Sequence, residues 1–103
     1  MKSVWSPLAV ARVREAAQYI ARDKPGAART WVEGIFKQVG QLAAFPTSGR
    51  VVPELGREDV RELISGNYRI IYRTKNKVVL VLTVRHGKRL LDPSEVVPDE
   101  AAL

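Results

Sequence analysis

"YRIIYRTKNKVVLVLTV", residues 68–84, is the stretch that decides the fold. Its first six residues alternate, so that Tyr68, Ile70 and Tyr72 fall on one face of a strand and Arg69 and Arg73 fall on the other. The run from 78 to 84 is apolar on both faces, which is typical of a central strand. The "TKNK" between the two runs predicts a hairpin turn, so this stretch predicts two neighbouring antiparallel strands.

Two helices are predicted upstream of these strands. Ser6 followed by Pro7 is typical of a helix start, and apolar residues then recur at helical spacing until the helix ends near Asp23 and Lys24. Pro25 opens a second helix in the same way. Its predicted buried stripe consists of Ala28, Trp31, Val32, Ile35, Val39 and Leu42. The short connection predicts an antiparallel helical hairpin.

The remaining segments complete an α+β fold. "KSVW" at 2–5 is a short strand candidate, residues 45–59 carry two prolines and two glycines and predict a loop, and "VRELIS" at 60–65 predicts another strand. The predicted order is β-α-α-β-β-β, with the helical hairpin packed on one face of a small, mostly antiparallel sheet. We expect one domain over residues 1–91, followed by an acidic C-terminal tail at 92–103.

Charge is the strongest global signal. The 103 residues hold 17 basic and 11 acidic side chains, a net charge of +6. Four acidic residues and no basic one lie in 92–103, which leaves 17 basic and 7 acidic residues, a net charge of +10, in 1–91. A net charge this positive over residues 1–91 predicts an anionic partner, either nucleic acid or an acidic protein segment.

Composition excludes several kinds of chemistry. There is no cysteine and only one histidine, so we expect no disulfide, no metal site and no cofactor. The N-terminal residues lack the apolar core of a signal peptide, and the longest apolar run, 78–82, has five residues, whereas a membrane span needs roughly 20. The expected location is the cytoplasm, with no membrane association.

The candidate site lies on the sheet face that the helices are expected to leave open. Arginines from three neighbouring strands are predicted to converge there, and the segment after the last strand adds further cations. The predicted basic open face consists of Arg61, Arg69, Arg73, Arg85, His86, Lys88 and Arg89. Strand alternation predicts that His86 points away from the face of Arg85.

Six short motifs, in order, resemble the RelE/ParE toxin superfamily. They are "WSP" at 5–7, "YIA" at 19–21, "FPTSGR" at 45–50, "VREL" at 60–63, "YRIIYR" at 68–73 and "LTVRHGKRLL" at 82–91. The resemblance implies the same fold, two helices on a small antiparallel sheet. It also implies the toxin of a bacterial type II toxin–antitoxin pair, held inactive in a complex with a ParD-like or RelB-like antitoxin.

The superfamily divides into two activities. RelE-like members cleave mRNA on the ribosome, using sheet arginines together with a Tyr, His or Glu near the end of the chain, and Arg69 and Arg85 match those arginine positions. ParE-like members poison DNA gyrase without nuclease chemistry. No Tyr follows Arg85, and the His-Tyr ending of some nucleases falls on Gly87 and Lys88.

We therefore expect a non-enzymatic, ParE-like gyrase inhibitor with no catalytic residue. The first alternative is a RelE-like ribosome-dependent mRNA endonuclease that uses Arg69, Arg85 and His86, or Lys88 in place of His86. The second alternative is a homologue that is not toxic and only binds its antitoxin. Growth arrest without antitoxin separates both toxic hypotheses from this last one.

Overall fold

The computed structural model describes residues 1–87, 90 and 91, which form two α-helices and five β-strands. The elements are β1 (Lys2–Trp5), α1 (Pro7–Ala21), α2 (Pro25–Gln41), β2 (Arg50–Val51), β3 (Val60–Ser65), β4 (Tyr68–Lys75) and β5 (Val78–His86). The predicted α+β fold class is confirmed. The segment predicted as a loop at 45–59 contains one additional short strand, β2.

The five strands form one mixed sheet in the order β1-β5-β4-β3-β2. Strand β1 runs parallel to β5, and the other neighbours are antiparallel. Strand β5 therefore lies between β1 and β4, as its two apolar faces predicted. The β4–β5 hairpin turns at Asn76 and Lys77, both in the left-handed region with φ of 53° and 60°, which suits the twist of a two-residue hairpin.

The start of α1 is fixed to the sheet by one side chain. The Ser6 hydroxyl accepts a hydrogen bond from the Ala9 N–H at 3.0 Å and donates one to the Leu82 carbonyl at 2.8 Å. Ser6 thus satisfies one unpaired N–H of the first helical turn, as an N-cap does. Its second bond sets the position of α1 on β5.

The helical hairpin covers one face of the sheet, which we call the helix-side face. The buried residues of this core come from α1, α2, β4 and β5, and are Ala9, Val13, Ile35, Val39, Ile70, Val81 and Val84. Trp31 and Val32 are only partly buried against this core. The rest of the predicted α2 stripe is buried.

The opposite face, the loop-side face, is also covered, so the prediction of an open sheet face was wrong. A second buried cluster there consists of Val52, Val60, Ile71, Leu80, Leu82 and Leu91, with Leu55 packed against it. The physical reason is that β5 is apolar on both faces and each face needs a cover. Residues 52–55 and Leu91 provide the second cover.

A β-bulge in β5 changes which face of the sheet its later side chains occupy. Ile71 lies opposite Thr83 and Tyr72 lies opposite Val81, which leaves Leu82 as an extra residue. Leu82 joins the loop-side core, whereas Val81 joins the helix-side core. After the bulge, Arg85 lies opposite Arg69 and His86 lies opposite Tyr68.

Candidate functional site

Arg69, which was predicted on an open face, is buried in an ion-pair network. Its side chain is 7% exposed, and two of its guanidinium nitrogens donate to both carboxylate oxygens of Glu54 at 2.8 Å. The Arg69 Nε donates to a Glu62 oxygen, also at 2.8 Å. Arg50 donates to the other Glu62 oxygen from a side chain that is 64% exposed. Arg69 is thus held between two carboxylates.

The titration properties of this network follow from its contacts. Hydrogen bonds from Arg69 lower the pKa of the Glu54 carboxyl from 4.5 to about 2, against an opposing effect of desolvation. The Leu91 N–H, which donates to Glu54 at 2.9 Å, lowers this pKa further. The same hydrogen bonds raise the pKa of the Arg69 guanidinium above its ordinary value. Both groups are therefore charged across the physiological pH range.

Arg73 is buried in a second ion pair on the same face. Its Nε donates to Asp59 at 3.0 Å, and Arg57 forms a bidentate pair with the same carboxylate. Hydrogen bonding by Arg57, with a smaller contribution from Arg73, lowers the pKa of the Asp59 carboxyl. On the loop-side face Arg69 and Arg73 are therefore paired with carboxylates, because Glu54, Asp59 and Glu62 lie beside them.

Arg61 does not belong to this surface, which corrects the predicted grouping. It alternates with Glu62 along β3 and so shares its face with Leu63, which packs on the helix-side core. The Arg61 guanidinium donates to the Gly49 carbonyl at 3.0 Å. The prediction that grouped Arg61 with Arg69 was wrong because the two side chains lie on opposite faces of the sheet.

Arg85 and His86 lie on opposite faces of β5, as strand alternation predicted, so the prediction that included His86 in the basic open face was wrong. Arg85 lies directly across from Arg69, so these two side chains share the loop-side face. The His86 ring meets the Tyr68 ring edge-on, with the centroids 5.4 Å apart, on the helix-side face. The three residues proposed for a nuclease therefore do not converge on one surface. Lys88 and Arg89 lie outside the described residues.

A groove of about 500 Å³ opens beside His86, between α1 and the ends of β4 and β5. We call it the α1 groove. Its lining residues are Arg12, Glu15, Ala16, Tyr19, Tyr68, Val84, Arg85 and His86. Sequence reasoning missed this groove because it joins a helix to strands some 50 or more residues further along the chain.

Among residues 1–87, 90 and 91, no group of three or more His, Cys, Asp or Glu side chains is placed to hold a metal ion. Neither described helix combines the length and apolarity that crossing a bilayer requires.

The architecture defines a small, basic α+β protein in which a helical hairpin packs on a mixed sheet. Residues 4–91 match the family model of the ParE toxin of the type II toxin–antitoxin system parDE. A Sinorhizobium fredii protein named "Putative toxin Y4kP" is 39% identical over 86 residues, which cover 81% of this chain and 84% of that protein. The chain belongs to the ParE toxin family of type II toxin–antitoxin systems.

A solved structure supports the same assignment at the level of the fold. A chain of the chromosomal ParDE toxin–antitoxin system from P. aeruginosa superposes with a TM-score of 0.68 at 25% sequence identity. The match covers 84% of this chain and 95% of that chain. The predicted resemblance to the RelE/ParE superfamily, closer to ParE, is confirmed.

Proposed function

We propose that this protein arrests bacterial growth by binding and inhibiting DNA gyrase, without catalysis, and that a cognate antitoxin neutralises it. Membership of the ParE toxin family supports this proposal. The observation that carries the non-catalytic part is the burial of Arg69 between Glu54 and Glu62. Because gyrase is cytoplasmic, the proposed site of action is the cytoplasm.

The Arg69 network opposes phosphate chemistry at this position. A ribonuclease needs cations that meet the negative charge developing on the phosphorus, together with an acid and a base. A phosphate approaching Arg69 would meet two carboxylates that already occupy the guanidinium donors. Releasing Arg69 would leave Glu54 without its arginine and Glu62 with only the exposed Arg50. Breaking a buried pair in this way costs about 3–5 kcal/mol.

The residue that could supply acid–base catalysis lies on the wrong face of the sheet. His86, the only histidine in the chain, lies on the helix-side face against Tyr68, whereas Arg69 and Arg85 lie on the loop-side face. A general base must come within about 3 Å of the proton that it removes. A sheet separates His86 from the two arginines, so we assign neither Arg69 nor His86 a catalytic role.

The proposed antitoxin is an acidic chain. Residues 1–91 carry a net charge of +10, and the structural neighbour from P. aeruginosa belongs to a ParDE toxin–antitoxin system. Complementary charge accelerates association and suppresses wrong partners. The proposed resting state is therefore a hetero-oligomer of the toxin with a ParD-like antitoxin.

The mRNA endonuclease remains the second candidate, because Arg69 and Arg85 lie opposite each other on one face. The deciding experiment incubates purified protein with gyrase, ATP and relaxed plasmid, and scores supercoiling and trapped cleaved DNA. A parallel reaction contains translating ribosomes and a defined mRNA. Loss of supercoiling with intact mRNA supports the proposal, and mRNA cleavage with unaffected gyrase supports the endonuclease. Normal growth on expression without antitoxin would overturn both and leave a non-toxic binding partner.

A further inference from the structure

The α1 groove combines aromatic rings with cations. Its helical wall is one stripe of α1, since Arg12, Ala16 and Tyr19 recur at helical spacing. Its sheet wall is formed by Tyr68 and His86, which are paired across β4 and β5. The groove thus lies between one helix and two paired strands.

The rings form a continuous row. Tyr68 packs against Trp31 with centroids 5.0 Å apart on one side and meets His86 at 5.4 Å on the other. Across the groove, Tyr19 is 65% exposed, and the Arg22 guanidinium lies 5.9 Å from the centre of its ring. An exposed tyrosine opposite a partly exposed imidazole provides two aromatic surfaces for a flat ligand.

The charges of the groove favour an anion. Arg12 and the nearby Arg22 are cations, whereas Glu15 is the one acidic residue among those that line the groove. Arg12 pairs with Glu15 at 3.1 Å, but the two side chains are 36% and 63% exposed. An ion pair this exposed contributes only about 0–1 kcal/mol, so Glu15 competes only weakly with a phosphate for Arg12.

We propose that the α1 groove binds a nucleotide, with the base stacked beside Tyr19 and His86 and the phosphate held by Arg12. Stacking on aromatic side chains together with positive charge is how proteins hold nucleotides of single strands. A free nucleotide and an unpaired strand both present an aromatic base together with a phosphate, so either could be the ligand. The proposal concerns the helix-side face and does not rest on gyrase inhibition.

A purely acidic ligand fits the groove less well. It would make no stacking contact with Tyr19 or His86 and would bring its carboxylates close to Glu15. Inorganic phosphate would engage Arg12 and lose the stacking contribution. The base is therefore the part of the ligand that the rings select.

The test is a titration of the full-length protein, monitored by the NMR signals of the His86 imidazole. The chain has one histidine, so these signals need no further assignment. The probes are 5′-AMP, a short oligothymidylate, inorganic phosphate and poly-L-glutamate. We expect saturable shifts with 5′-AMP or the oligothymidylate at a Kd below about 1 mM, and at least about tenfold weaker binding of phosphate.

Two groove variants and one matched control complete the design. Tyr19→Ala and Arg12→Ala are each expected to weaken nucleotide binding about tenfold. Arg14→Ala removes the same charge from the same helix outside the groove and is expected to leave the Kd within about twofold. Circular dichroism verifies that each variant is folded, and Tyr19→Ala is expected to fold because Tyr19 is largely exposed.

The outcomes separate the sources of the ligand. Oligothymidylate binding that is tighter than that of 5′-AMP and falls steeply with salt assigns the groove to a strand. Preference for 5′-AMP assigns it to a free nucleotide. The proposal is overturned if neither nucleotide gives a saturable shift, if inorganic phosphate binds equally well, if Arg14→Ala weakens binding as much as Arg12→Ala, or if polyglutamate binds more tightly than both nucleotides.

Discussion

The two faces of the sheet are covered by different physical means. On the helix-side face, two helices bury an apolar core that includes Ile35, Ile70 and Val81. On the loop-side face, a smaller apolar cluster lies beside buried Arg69 and Glu62. Apolar burial has no direction and tolerates exchange of similar groups. Buried charges require specific partners, so the loop-side face is expected to be far more sensitive to single substitutions.

The largest expected loss of stability follows substitution of Arg69. Arg69→Met keeps much of the side-chain volume but leaves Glu54 and Glu62 without their main partner, so the free energy of unfolding is expected to fall by about 3–5 kcal/mol. Urea denaturation measures this change in the free energy of unfolding. The helix-side control is the neighbouring Ile70→Leu, expected to cost less than about 1.5 kcal/mol.

A second control tests burial rather than charge. Arg50 contacts the same Glu62 carboxylate, but its side chain is 64% exposed, so Arg50→Met is expected to cost only about 1 kcal/mol or less. If Arg69→Met proves no more damaging than Arg50→Met or Ile70→Leu, the two faces do not differ as described.

The next largest expected effect is a loss of stability at acid pH. The pKa of Glu54 is lowered to about 2 in the folded protein, so its stabilising contribution is complete above its unfolded value of 4.5 and is lost as pH falls towards 2. Glu54→Gln is expected to lose about 1.5–3 kcal/mol near neutral pH, because charge-assisted hydrogen bonds are lost.

Thermal unfolding of both proteins over a pH series measures this effect. The difference in Tm between wild type and Glu54→Gln is expected to narrow steadily between pH 4.5 and about 2. A difference that stays constant across this range would show that the charge on Glu54 is not the source of the stabilisation.

The smallest effects compare two glycines, Gly49 just before β2 and Gly40 in α2. A Cβ added at Gly49 would come within 2.6 Å of both the Glu62 carbonyl and the Tyr72 hydroxyl. That hydroxyl accepts a hydrogen bond from the Gly49 N–H and donates one to the Pro46 carbonyl. Gly49→Ala is therefore expected to destabilise the protein by about 1–3 kcal/mol.

Gly40 is the matched site. A Cβ there meets nothing within 4 Å, and Gly40 lies inside α2, so Gly40→Ala is expected to stabilise the protein by about 0.5–1 kcal/mol. Denaturation midpoints of the two variants should move in opposite directions. Movement in the same direction would contradict the assigned contacts of Gly49.

The helices and the paired strands could be predicted from the sequence because their signals are local. Ser6-Pro7 marked the start of α1, and the alternation of 68–73 placed Tyr68 and Ile70 on the helix-side face. The cover of the loop-side face could not be predicted, because it depends on a long-range contact. No periodicity in residues 45–59 indicates that Val52 packs on Ile71 and Leu80.

The candidate site was predicted less well, for the same reason. Arg69 and Arg73 were predicted on the correct face, but two of their acidic partners, Glu54 and Asp59, come from a loop without a pattern of its own. Glu62 alone had a usable signal, because it alternates with Val60 on β3 and so falls on the loop-side face. A carboxylate on that face would have indicated that the arginines are paired.

The most direct test of the central claim asks whether Arg69 acts in folding or in toxicity. A variant carrying Arg69→Met, Glu54→Gln and Glu62→Gln removes the charges together, and replacing a buried ion cluster by less polar groups often preserves the fold. Once circular dichroism shows a folded protein, its concentration dependence in the gyrase supercoiling assay is compared with that of the wild type. We expect equal inhibition by the two proteins. A folded variant that no longer inhibits gyrase while the wild type does, or a wild type that cleaves mRNA and leaves gyrase active, would contradict the claim.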